Sequence, residues 1–213
     1  MEHLSPVPES VIDALPVLDA NQLGRSIRRH TEMEGLPDLD GIKVAIIGVQ
    51  EDRRAYRNVG CDGAADTIRP YLYQLYKGKW DFGIADLGNL YKGERHTDTL
   101  LLLKEIAQEM LQRQIVLITI GGSQELTYAN YRGYDSLEQT VNIVSVDARL
   151  DVGSEGRELD HQSYVSHLVL QEPHNLYNFT NLGYQTYFNS PEEIALIDKL
   201  FFEAVRLGHI QNQ

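Results

Sequence analysis

Cysteine is nearly absent from this 213-residue chain: Cys61 stands alone. No disulfide can form within it, and nothing points to an oxidising compartment. Long apolar runs are missing too; none reaches the roughly 18 residues that span a bilayer. The opening Met1-Glu-His-Leu-Ser-Pro has neither a basic start nor an apolar stretch, so it does not read as a secretory signal. Positive charge is scarce: 19 Lys and Arg against 31 Asp and Glu give a formal net charge of −12. Such a field repels polyanions, so no nucleic-acid or membrane partner is expected. Of the two basic clusters, Arg53-Arg54 is short, and Arg25 to His30 has the spacing of a solvated helix face. The expectation is a cytoplasmic protein.

Two common signatures are also lacking. Gly48-Val-Gln-Glu-Asp follows an apolar run but lacks the second and third glycines of G-x-G-x-x-G, and no G-x-x-x-x-G-K-S/T occurs. Gly121-Gly122-Ser123-Gln124-Glu125 lacks the closing glycine of a nucleophile elbow. Its glycine pair reads as a tight turn that needs backbone freedom. Cys61 reads as a small packing residue.

What is present alternates. Lys43–Val49, Phe82–Asn89, Ile115–Ile120 and Val141–Val146 are apolar, β-branched runs of strand length. Between them, Ala64–Leu75, Thr97–Gln114 and Glu125–Tyr134 have helical spacing, with a kink or a break expected at Pro70. This order predicts an α/β fold with a mainly parallel sheet. Further on, Gly153–Asp160 reads as a polar loop, Ser163–Leu170 as a helix, Tyr177–Leu182 as a strand and Pro191–Gly208 as a final helix. Residues 1–40 read as a helical extension, with a short helix over Ser10–Leu15 and a second over Asn21–Glu34. Residues 41–213 form the domain proper.

Ligands of open parallel sheets bind outside the carboxyl ends of the strands. There the chain places Gly48–Asp52, then Asp86–Asn89, then Gly121–Glu125 with Ser123, Gln124 and Glu125, then Asp147, Arg149 and Asp151. Residues two apart on a strand share a face, so Asp-Arg-Asp projects as a row. That row is either a salt-bridged strand end or a cation site.

Several blocks, taken in order, resemble the ureohydrolase superfamily of arginase, agmatinase and formimidoylglutamase. They are Gly48–Arg53 with Asn58–Gly63 and Ile68-Arg69-Pro70; Asp86-Leu-Gly-Asn89; Gly121–Glu125; Val144–Asp151; and Asn181–Thr186. The resemblance spans roughly residues 40 to 208. It implies a three-layer α/β/α sandwich, arginase-like, that binds two manganese ions at the carboxyl edge and hydrolyses guanidino or formimino groups.

The resemblance also marks departures. Where the family has G-G-D-H-S, this chain has Ser123 and Gln124 in place of the Asp and His. Where it has D-A-H-x-D, Arg149 replaces the His, leaving Asp147 and Asp151 as residual ligand positions. The family's final S-x-D-x-D block is not found before Gln213, so the C-terminal part of the fold is expected to be incomplete. Arginine offers only donors and stays protonated. It is therefore expected to pair with the two aspartates and stand in for the cation. No cofactor is expected for the chain as given, although the family uses manganese. His167 is the better placed of two histidines for a substrate-site role, and Glu125 is either a new acid or first-turn helix charge. The expected function is binding or assembly on a degraded dimanganese site, with a manganese-dependent hydrolase of linear amidines as the alternative. A small amidine or amino-acid-like ligand and a homo-oligomer are the expected partners.

Overall fold

The structure, a computed structural model, describes residues 3–153, 156–172 and 175–211. Of the expected loop Gly153–Asp160, residues 154 and 155 lie outside that set. In chain order the elements are β1 (Leu4–Ser5), α1 (Glu9–Asp13), β2 (Arg28–Arg29), β3 (Ile42–Val49), α2 (Ala64–Tyr73), β4 (Gly83–Leu90), α3 (His96–Gln112) and β5 (Val116–Ile120). Then follow α4 (Leu126–Asp135), β6 (Val141–Val146), α5 (Tyr164–Leu170), β7 (Leu176–Tyr184), α6 (Pro191–Lys199), β8 (Glu203–Arg206) and α7 (Leu207–Gln211).

The expected α/β alternation is the architecture found, and its sheets are mostly parallel. β3 is the spine of the first sheet, bonded in parallel to β4 on one side and β5 on the other. Its alternation sorts two layers. Ala45, Ile47 and Val49 face a core built with Leu103, Ile106 and Met110 of α3 and Leu126 and Ala129 of α4. Ile46 faces the other way, onto Tyr73 of α2, Leu23 and Ile27. The second sheet is β6-β7-β8, all parallel. Phe179 of β7 packs there with Tyr131 of α4, Val165 and Leu168 of α5, and Ile197 of α6.

Three expectations are corrected. Residues 1–40 keep one short helix, α1, near the expected Ser10–Leu15, but are otherwise joined to the sheet. β1 pairs antiparallel with β4, and β2 pairs in parallel with the same strand through Arg28↔Ala85 and Arg29↔Asp86. The expected helix over Asn21–Glu34 is a short 3-10 turn, Leu23–Arg25, followed by β2. Tertiary partners outweigh helical spacing here. Arg28 donates to the Asp38 and Asp40 carbonyls, and Arg29 donates to the Gly24 carbonyl and lies over the Tyr73 ring.

Pro70 does not break α2, which runs through it to Tyr73. Arg69 holds this stretch, with its guanidinium on Asp86, Asp66, Asn89 and the Gly88 carbonyl.

The final helix does not reach Gly208. A capping box, Ser190 with Glu193, opens α6, which ends at Lys199. Phe201 turns the chain at φ 58°, Phe202 packs on Phe179, and residues 203–206 form β8. Among the described residues no helix is long and apolar enough to cross a membrane.

Candidate functional site at the carboxyl edge

The strand ends carry three linked groups of polar side chains. The first follows β3. Glu51 is fully buried and accepts from Arg53 Nε, while Arg53 Nη2 donates to the Thr99 hydroxyl and Nη1 to the Glu94 carbonyl. Burial acts to raise the Glu51 carboxyl, but the hydrogen bonds from the Arg53 side chain and backbone outweigh it and hold it low. Beside it, Lys92 bridges Asp52 at 2.5 Å and Asp62 at 2.8 Å. Gln50, Asp62, Gly63, Tyr91 and Lys92 line a hollow of about 380 Å³. Sequence reading named the strand end Gly48–Asp52 but missed its partner Lys92, although Tyr91-Lys92 directly follows the apolar run of β4.

The second group follows β5. The Ser123 hydroxyl donates to Glu125, whose other oxygen lies 3.0 Å from His96 Nε2 at the start of α3. The carboxylate sits between serine and imidazole, so the ring cannot act as base on the hydroxyl. His96 was also missed; only its place at a helix start hints at a role. The glycine pair before Ser123 needs space rather than conformational freedom. Neither glycine has positive φ. A Cβ on Gly122 would run into the Glu51 carbonyl, which accepts the Ser123 N–H at 2.8 Å.

The third group follows β6 and corrects the expected ion pair. Arg149 does not pair with the aspartates. Its guanidinium donates to the Phe188 carbonyl at 3.0 Å and lies 5.5 Å from the Phe188 ring centre. Only its backbone N–H reaches Asp147, at 2.8 Å. The second partner of Asp147 is Gln124, whose Nε2 donates at 2.7 Å. Because Gln124 follows β5 and Asp147 follows β6, this one bond ties the two half-sheets together at their carboxyl ends.

Asp151 is 3% exposed, and its Oδ2 has no hydrogen-bond partner. Burial first, then the charge of Asp147, pushes its carboxyl up to about 8, so it holds its proton at neutral pH.

The remaining candidates fall away from this edge. Asp86 lies inside β4, fully buried, and accepts from Arg69, Tyr73 and the Gly88 N–H. His167 Nε2 contacts the Arg157 carbonyl at 3.0 Å, and its ring sits edge-on to Tyr128. Its bonds go to neither aspartate. Cys61 is half-buried; burial and then Asp52 raise its thiol, the opposite of an activated nucleophile.

A manganese site needs imidazole and carboxylate donors in a cluster. Among the described residues no three His, Cys, Asp or Glu side chains are grouped to hold a metal ion. At the edge itself Gln124 turns an N–H toward Asp147, and Asp151 is a neutral buried acid. These residues do not fit the ion.

The model of the arginase family matches residues 42–213. The formimidoylglutamase of Streptococcus gordonii is 28% identical over 125 residues, 55% of this chain and 38% of that protein. That of Lysinibacillus sphaericus is 24% identical over 196 residues, 86% of this chain and 60% of that protein. The chain therefore spans between about two fifths and three fifths of these curated relatives. Among solved structures, formimidoylglutamase from Bacillus subtilis superposes with a TM-score of 0.77 at 17% identity, covering 93% of this chain and 64% of that one. The Trypanosoma cruzi formiminoglutamase with Mn2+ superposes with a TM-score of 0.75 at 17% identity, covering 90% of this chain and 66% of that one.

Proposed function

The chain belongs to the arginase family, and from that premise we propose that it acts by binding or assembly on an arginase-like edge that has lost its manganese site. One observation carries the reading. Gln124 and Arg149, at the positions where the resemblance places metal-binding histidines, both present donors, and Gln124 spends its donor on Asp147. Generating hydroxide at neutral pH relies on a metal that lowers the pKa of bound water. The half-buried Asp147 suits a small cationic amidine or amino-acid-like ligand. The uncovered apolar face of the second sheet suits association with further copies of the chain.

A second reading is supported by the names of the relatives: a manganese-dependent hydrolase of linear amidines, of the formimidoylglutamase kind. It requires donors from the part of the fold that the relatives carry outside the match. One experiment separates the two. The protein is loaded with manganese salt, dialysed, analysed for metal, and assayed for formamide or urea release from formiminoglutamate, agmatine and arginine. The expected result is far less than one manganese per chain and no release. Stoichiometric manganese that disappears in Asp147→Ala, or manganese-dependent release, overturns the first reading in favour of the second.

A further inference from the structure

The chain is acidic, but its charge is unevenly spread. Residues 20–31 and 67–80 carry Arg25, Arg28, Arg29, Arg69, Lys77 and Lys79 and not one of the 31 Asp and Glu. The fold stitches these two segments together. Leu23 N–H donates to the Leu75 carbonyl at 2.8 Å, Lys77 N–H to the Asn21 carbonyl at 2.7 Å, and the Gln22 side chain to the Gln74 carbonyl at 2.6 Å. Gln22 and Tyr76 also form an antiparallel bridge. Beneath them Tyr73 packs on Leu23, Ile27 and Ile46, on the side of the first sheet opposite α3 and α4. Lys77–Trp80 leads into the amino end of β4 at Gly83, away from the carboxyl edge.

Three of the six cations are held by the fold. Arg69 is buried on Asp86, Arg28 donates to the Asp38 and Asp40 carbonyls, and Arg29 donates to the Gly24 carbonyl. The other three, Arg25, Lys77 and Lys79, are exposed and form no ion pair among the described residues. Beside them apolar side chains stand in water: Ile68 is 45%, Tyr71 73%, Leu75 56% and Tyr76 68% exposed. Ile68 and Tyr71, three apart, share one face of α2, and Leu75 and Tyr76 follow just past its end. Acids bound the patch. α1, whose Ile12 packs on the Tyr73 cluster, brings Glu9 and Asp13, and Asp19, Glu32, Asp66 and Asp81 flank the two segments in sequence.

We propose that this face docks an acidic amphipathic helix of another protein. Its apolar stripe lies along Ile68, Tyr71 and Leu75, and its Asp and Glu reach Arg25, Lys77 and Lys79. Charge complementarity selects the partner: three unpaired cations in a chain of net charge −12 call for carboxylates. The apolar row selects its shape, since a helix offers side chains at matching i, i+3 and i+7 spacing. A nucleic acid would stack on Tyr71 and Tyr76 but gain little from Ile68 and Leu75. A membrane surface extends past the patch and meets the acids around it, whereas a helix is only about 10 Å across. A second copy brings its own charge of −12 against the first. This inference goes beyond the proposed function, because no residue of the patch lies at the carboxyl edge.

The test is calorimetric titration of the full chain with a synthetic helical peptide of about 18 residues, free of Trp, with Leu at i, i+3, i+4 and i+7 spacing and Glu on either side of that stripe. The expected result is saturable binding that weakens about tenfold or more when salt rises from about 0.05 to about 0.5 M. It should shift the emission of Trp80, the chain's one tryptophan, which follows Lys79. Lys77→Glu with Lys79→Glu should weaken binding about tenfold or more, as should Tyr71→Ser. Lys199→Glu, an equal charge change at an exposed site on α6, should leave it unaltered. Circular dichroism checks that each variant folds. Equal binding of a peptide with every Glu replaced by Lys overturns the proposal, as does no binding at all, or undiminished binding to the Lys77→Glu, Lys79→Glu variant. Tighter binding to phosphatidylglycerol vesicles or to a thymidine oligonucleotide than to the acidic peptide overturns it in favour of a membrane or a nucleic acid.

Discussion

Asp151 carries its carboxyl into a buried place with one oxygen unpartnered and Asp147 close by. Its folded-state pKa of about 8 lies above its ordinary value of 3.8, so the folded chain keeps a proton that the unfolded chain gives up. Its contribution to stability is complete below about pH 4, declines as pH rises, and is gone above about 8. Glu51 works in the opposite sense. Its lowered carboxyl adds stability above its ordinary 4.5 and loses it on acidification, so it leaves the range from pH 5 to 8 to Asp151. Urea unfolding of the wild type should weaken across that range by an amount on the order of a few kcal/mol. Asp151→Asn, which mimics the protonated acid, should flatten the slope and exceed the wild type at pH 8. A wild-type stability that rises from pH 5 to 8 would contradict this account of the site.

At the scale of the element, the end of α6 is the clearest conflict between spacing and structure. The apolar positions of Pro191–Gly208 can be read as one helix, but Phe201 adopts φ 58° and is 91% exposed. A left-handed residue with a Cβ costs roughly 1 kcal/mol, which glycine escapes. Phe201→Gly should therefore leave stability unchanged or raise it by up to about 1 kcal/mol in urea titrations; a substantial loss would mean that the turn is not left-handed. The same comparison explains what was legible in the sequence. β3 and β4 are buried along most of their length, and β5 and β6 are half-buried on alternate residues, yet the apolar, β-branched runs of all four announce them. β8 is four residues, Glu-Ala-Val-Arg, and becomes a strand only because β7 offers an edge. β2, two arginines, is likewise made by its partner. At the site, the expected row of Asp147, Arg149 and Asp151 does not form, because β6 ends at Val146 and Asp151 turns at φ 50° into a buried place while Arg149 stays exposed. The direction of Arg149 was hidden because its acceptor, the Phe188 carbonyl, is 39 residues away. The Gln124–Asp147 tie was hidden for the same reason, at 23 residues.

For the whole molecule, two features oppose one another. The net charge of −12 keeps copies apart. The exposed valines of β6 and the exposed aliphatic residues of β5 draw apolar surface together. Charge repulsion is screened by salt over a Debye length that falls from about 30 Å at 0.01 M to about 8 Å at 0.15 M, whereas apolar contact is not weakened. Raising sodium chloride from about 0.02 to about 0.5 M should therefore increase self-association, seen as a growing mass in light scattering at fixed protein concentration. Val144→Lys should reduce that growth, since it places a charge on the apolar face. A mass that shrinks with salt would show instead that ion pairs between copies hold them together, and would shift attention from the sheet face to surface cations such as Arg54 and Arg95.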